Sequence, residues 1–108
     1  MATAVGLAAV STPILAGAAG FVLVNQTGSA LADVAARRTG TSEWRPLGAA
    51  VSDGARTSVT FSDPDCAFDL KARLAGDGEA TWRAVNLCEV SSVTLRRDSA
   101  GSTWVDYD

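Results

Sequence analysis

The segment Ala67–Ala75 alternates strictly, with Phe68, Leu70, Ala72 and Leu74 in one parity and Asp69, Lys71 and Arg73 in the other. A period of two sustained this long fits a half-buried strand, because a helix would scatter the same apolar residues around its circumference. Asp77-Gly78 follows, a pair that tolerates the positive φ of a tight hairpin turn, and Glu79–Asn86 runs back with Trp82 and Ala84 on one face. Cys66 opens the first of these strands and Cys88 follows the second, at nearly equal distances from the turn. Antiparallel neighbours in that register have Cα atoms within disulfide range. A Cys66–Cys88 bridge is therefore expected, and with it an oxidising compartment. The two thiols are too far apart for a redox CxxC motif and too few for a structural zinc site.

The rest of the chain repeats the strand signal. Phe21–Asn25 is a short apolar run ended by Thr27-Gly28, suited to a buried first strand. Asp53-Gly54 marks a turn before Arg56–Ser62, where Val59 and Phe61 oppose Ser58 and Thr60. Further strands are predicted at Glu89–Arg97 and Thr103–Tyr107, with a turn at Ser99–Ser102; Gly40–Gly48 reads as irregular. The expectation is an all-β fold, a small antiparallel β-sandwich or partly open barrel of about six to eight strands with one disulfide. Ser29–Gly40 fits two readings. Ser29 suits a helix N-cap, with Leu31, Val34 and Ala35 on one face and Gly40 as terminator, but the same residues also alternate as a strand.

No charged side chain precedes Asp33, and Met1–Gly20 is largely Ala, Gly, Val and Leu. Ala16 and Ala18 satisfy the small-x-small rule of a signal peptidase, while Met1–Thr12 lacks the Lys or Arg of an n-region. Residues 1–20 are therefore read as a truncated signal peptide or hydrophobic segment, and residues 21–108 as a single β-domain. Ala2–Val24 also reaches the ~20 residues a membrane span needs, so a tethered form arises if residues 1–24 stay uncleaved. Lys71 is the only lysine among 9 Lys and Arg residues. With the abundance of Ala, Gly and Val, this usage points to a GC-rich bacterial genome, where Asn25-Gln26-Thr27 is a glycosylation sequon in name only.

Cys66 and Asp69-Leu70, then Asp77-Gly78, then Val85-Asn86-Leu87-Cys88-Glu89 resemble a small, uncharacterised β-domain of exported bacterial proteins, often carried behind a Tat-type signal peptide. The similarity extends to the opening strand ending Asn25-Gln26-Thr27-Gly28, to Trp44 and Leu47-Gly48, and to the strand from Gly54 to Phe61. It spans Phe21–Leu95. It implies export, an all-β fold and no known activity, and it favours strand over helix at Ser29–Arg38. The twin-arginine region of that family is absent.

Function classes narrow by exclusion. The net charge is −3 and there is no histidine, so no basic footprint for nucleic acid and no imidazole base are at hand. Asp63 and Asp65 form a carboxylate pair around Pro64, best read as a turn. Asp63, Asp65 and Asp77 are also calcium candidates, with Asp53 and Glu79 in neighbouring loops, although EF-hand spacing is missing. Trp44, between Glu43 and Arg45, is the candidate ligand contact, with a core plug as its other reading, and core packing is the reading for Trp82. Lys71, Arg37-Arg38 and Arg96-Arg97 read as solvated charges. The expectation is a non-enzymatic, cofactor-free domain, periplasmic or secreted, binding a protein or glycan partner or serving the envelope structurally. The competing reading is a small carboxylate-dependent hydrolase acting on carbohydrate.

Overall fold

The computed structural model describes residues 17–76 and 78–108. Eight strands follow one another: β1 (Ala18–Gln26), β2 (Leu31–Arg38), β3 (Arg45–Val51), β4 (Arg56–Asp63), β5 (Ala67–Leu74), β6 (Glu79–Asn86), β7 (Ser92–Arg97) and β8 (Thr103–Tyr107). They form two four-stranded sheets, ordered β4-β1-β7-β8 and β3-β2-β5-β6. Every pairing is antiparallel except that of β1 with β7, which is parallel, so the sheet is antiparallel-rich rather than purely antiparallel. A hairpin cannot join parallel neighbours. Here the chain visits the other sheet between β1 and β7.

The inner faces meet as the alternation predicts. Phe68, Leu70, Ala72 and Leu74 of β5 are buried against Phe21 and Leu23 of β1, Val59 and Phe61 of β4, and Val93 and Leu95 of β7 within one core. Phe61 stands edge-on to both Phe21 and Phe68, with centroids 6.3 and 5.1 Å apart. Trp82 is 1% exposed and donates its indole N–H to the Arg96 carbonyl at 2.9 Å, linking the two sheets. The opening strand is central but buried on one side only, since Val22 and Val24 are half-exposed on the outer face.

Several local readings are resolved or moved. Ser29–Gly40 contains strand β2 and no helix. Asp33 adopts φ 52° where the pairing of β2 with both neighbours shifts register, as a bulge requires. The irregular Gly40–Gly48 stretch contains the start of β3, an edge strand where the missing N–H of Pro46 is tolerated. Ala84, expected beside Trp82, takes φ 53° and faces outward, and Val85 is buried instead. β1 begins at Ala18, within the stretch the sequence reading assigned to the leader. The Ala18 N–H donates to the Asp65 carbonyl at 3.1 Å. The remainder of that leader, residues 1–16, lies outside the described residues. No helix among the described residues is long and apolar enough to cross a membrane.

Candidate functional site

The Cys66–Cys88 bridge is present, with Cα atoms 5.1 Å apart. Its position depends on the bulge. Near the turn, Arg73 pairs with Glu79 and Leu70 with Trp82, but past the bulge Phe68 pairs with Val85 and Ala67 with Asn86. The extra residue on β6 brings Leu87 alongside Cys66, whose carbonyl accepts the Leu87 N–H at 2.9 Å. Cys88 then lies one step further, within reach of the bridge.

A concavity of about 1050 Å³ runs between the end of β2 and the loop leading into β3, and is lined by Arg37, Arg38, Thr41, Glu43, Trp44 and Asp63 among others. Trp44 is half-buried in it. The Arg37 guanidinium lies 4.5 Å from the indole centroid and Lys71 Nζ 4.4 Å, so two cations already occupy its π-surface. Lys71 projects from β5 opposite Ala35 of β2, which accounts for its reach.

Beneath these cations the carboxylates are engaged. Asp69, on the polar parity of β5, is only 3% exposed. Its oxygens accept from Arg37 Nε at 2.9 Å, the Ala84 N–H at 2.9 Å and Thr39 Oγ1 at 3.0 Å. Burial pushes its carboxyl up, but these donors and the Arg37 charge together outweigh burial and hold it below the usual carboxylate range. Asp63, at the end of β4, behaves alike: burial raises it, and the Asp65 N–H, Arg38 and Arg45 lower it further than burial lifts it. Arg45 Nη2 is 3.1 Å from Asp63 and stacks on the Phe61 ring at 4.7 Å. Arg38 bridges Asp63 at 3.2 Å and Asp65 at 3.0 Å; the hydrogen bond to Asp63, followed by the charges of Asp63 and Asp65, raises its own pKa. Arg37 and Arg38 therefore hold specific carboxylates, and Arg38 does so while half-exposed to solvent at the end of β2. Arg96 likewise pairs with Asp106.

Asp63 and Asp65 are brought together, in the turn the sequence suggested, with the Asp65 N–H on Asp63 Oδ1 at 2.8 Å. Asp53 sits before β4, receives the Gly28 N–H at 3.0 Å, and is separated from Asp63 by the whole strand. Glu79 lies across from Arg73 on β6. These acids do not converge at one end of the sandwich, and no group of metal-holding side chains occurs among the described residues. Asp77, the third calcium candidate, lies outside the described residues.

Two features escaped the sequence reading. Asn25 is fully buried: its amide donates to the Ser29 carbonyl at 2.8 Å and the Val51 carbonyl at 2.9 Å, while its oxygen accepts the Thr27 N–H and hydroxyl. The apparent sequon is a structural clasp between the β1–β2 turn and the end of β3. Trp104 is 45% exposed on β8. The alternation of Thr103–Tyr107, which puts Trp104 in register with Asp106, carried that signal.

No family model matches the chain, and no curated protein does. Among solved structures, the fold is similar to an NMR structure of a protein from Eubacterium rectale, with a TM-score of 0.62 and 10% identity, covering 90% of this chain and 94% of that one. At that identity the likeness is one of fold alone.

Proposed function

We propose that this chain is an exported, non-catalytic recognition domain that presents the Trp44 groove to a protein or glycan partner. The observation that carries the reading is the state of the acids that brace the groove. Asp63, which lines it, and Asp69, which holds the lining Arg37, are kept ionised by guanidinium and backbone donors, which suits a fixed polar support and leaves neither free to shuttle protons. The groups that face a partner include the Ser42 hydroxyl, the Glu43 carboxylate and the half-buried Trp44, while the Thr41 hydroxyl donates to the Arg38 carbonyl at 2.7 Å. Export is supported by the Cys66–Cys88 bridge, which persists in oxidising compartments and is rare in the cytosol. The resemblance to exported bacterial β-domains agrees with that placement.

The test is a binding screen of the oxidised protein against glycan and secreted-protein arrays, with Trp44→Ala and Glu43→Gln beside the wild type. A partner retained by the wild type and lost by Trp44→Ala supports the groove. Hydrolysis of a glycan that disappears in Asp65→Asn favours the competing enzyme and overturns the reading. Intact mass of the periplasmic fraction, with and without reductant, reads export and bridge formation together.

A further inference from the structure

We propose that the outer face of the sheet containing β1, β7 and β8 is a second binding surface, a platform centred on Trp104 for an uncharged pyranose glycan. The three tryptophans have different fates. Trp82 is buried with its N–H satisfied, and Trp44 is covered by Arg37 and Lys71. Trp104 is 45% exposed, and among the described residues no ring or cation stacks on it and no acceptor takes its indole N–H.

Strand register arranges the neighbours in two rows, because directly paired residues project from the same side of a sheet. Across β8, β7 and β1 the first row is Trp104, Arg96 and Gln26, and the second is Asp106, Thr94 and Val24. Adjacent strands lie about 4.8 Å apart, so the Arg96 position is one strand spacing from the indole and the Gln26 position two, a span that two linked sugar residues cover. The C–H faces of a pyranose ring meet the negative face of an indole, and ring hydroxyls seek donors and acceptors side by side. Arg96, Gln26 and Thr94 supply donors; Gln26, Thr94 and Asp106 supply acceptors.

The Arg96–Asp106 ion pair balances the two charges beside the indole, and Arg56, opposite Val24 on β4, is the further charge at the far end of the second row; balanced charge next to the ring favours an uncharged ligand over a polyanion. A protein interface of ordinary strength needs about 800 Å² per partner around an apolar or aromatic centre. Here one indole stands among Gln, Thr, Arg and Asp with Val24 the one aliphatic side chain in the two rows, so a glycan is the better fit. The Trp44 groove is lined by the β2–β3 region and by Asp63 at the end of β4, and it shares no residue with the platform, so either reading stands without the other.

The deciding experiment is calorimetric titration of the oxidised full chain with neutral β-1,4-linked gluco-, xylo- and N-acetylglucosamine oligosaccharides, and with heparin as the polyanion arm. The expected result is a neutral oligosaccharide binding at about 1 mM or tighter. Trp104→Ala should weaken it about tenfold or more, and Trp104→Phe should retain part of the affinity. Arg73→Ala, on the exposed face of the other sheet, should leave it unchanged, with all three variants melting like the wild type. The proposal falls if no neutral oligosaccharide binds, if heparin alone binds, or if Trp104→Ala binds as well as the wild type. It also falls if light scattering finds a wild-type dimer that Trp104→Ala dissociates, since the face would then be a self-contact.

Discussion

Asn25 illustrates how one side chain fixes a connection that no hydrophobic pattern specifies. An amide is the only uncharged side chain able to donate twice to carbonyls and accept a backbone N–H from the same position. Asn25 uses all of these capacities at 0% exposure, and its own backbone pairs with Ala55 and Gly54 across the β3–β4 turn. Replacing Asn25 by Asp turns a double donor into an acceptor facing two carbonyls. The expected cost is about 3 kcal/mol or more, from lost hydrogen bonds and an unpaired buried charge. Urea denaturation at pH 7 measures it, and a midpoint like that of the wild type would contradict the clasp. Asp69 makes a related point. Its parity marked it as outward, and outward it is, yet Arg37, Thr39 and the bulged Ala84 N–H close over it.

At the scale of elements, the hairpin of β5 and β6 is the most legible part of the chain, because alternation and turn residues are local signals. The bulge at Arg83–Ala84 is not legible. Ala84 accepts a left-handed conformation because its N–H finds the buried Asp69 carboxylate, a partner on the neighbouring strand. That bulge sets the register in which Cys66 and Cys88 meet. The bridge closes a loop with a sequence separation of 22, for which the chain-entropy model gives about 3 kcal/mol. The double variant Cys66→Ala, Cys88→Ala should lose about that much stability in urea melts under oxidising conditions. Identical curves would mean that the sandwich does not depend on its staple. Edge protection is also an element-level matter: β8 lays Thr103 Oγ1 on the Thr81 carbonyl and offers Tyr107 Oη to the Asn86 N–H, occupying the open edge of β6.

For the whole molecule, two expectations follow from how the sheets are joined. Asp63 and Asp69 both have folded-state pKa values lowered relative to the ordinary carboxylate value. A lowered carboxylate contributes stability above its unfolded pKa of about 3.9 and loses it as pH falls through the folded value. Unfolding free energy should therefore hold steady from pH 7 to about 5 and decline below about 4, with a shallower decline in Asp69→Asn. An acid limb unchanged by that substitution would place the pH dependence elsewhere. The second concerns the start of β1. Ala18 pairs with Asp63 and donates to the Asp65 carbonyl, and a Cβ on Gly17 would stand 2.0 Å from the Asp63 carbonyl oxygen. A chain beginning at Ala19 should be about 1 kcal/mol less stable than one beginning at Gly17. Equal melting of the two would make that first pairing dispensable.

The sequence by itself determined what is short-ranged. Alternation assigned the faces of β4 and β5, the Gly and Asp turns marked most strand ends, and cysteine placement indicated the bridge. These follow from the period of a pleated chain and the φ that a turn demands, both fixed within a few residues. Only the tertiary structure decided what depends on distant partners: the parallel pairing of β1 with β7, strand over helix at Leu31–Arg38, and the burial of Asn25, Asp63 and Asp69. Trp44 is half-buried in the β2–β3 groove, and its cation-covered ring depends on Lys71 arriving from β5. Each of these outcomes turns on which strand lies beside which. That choice is made by burying one shared core between two sheets, and no local stretch of sequence contains it.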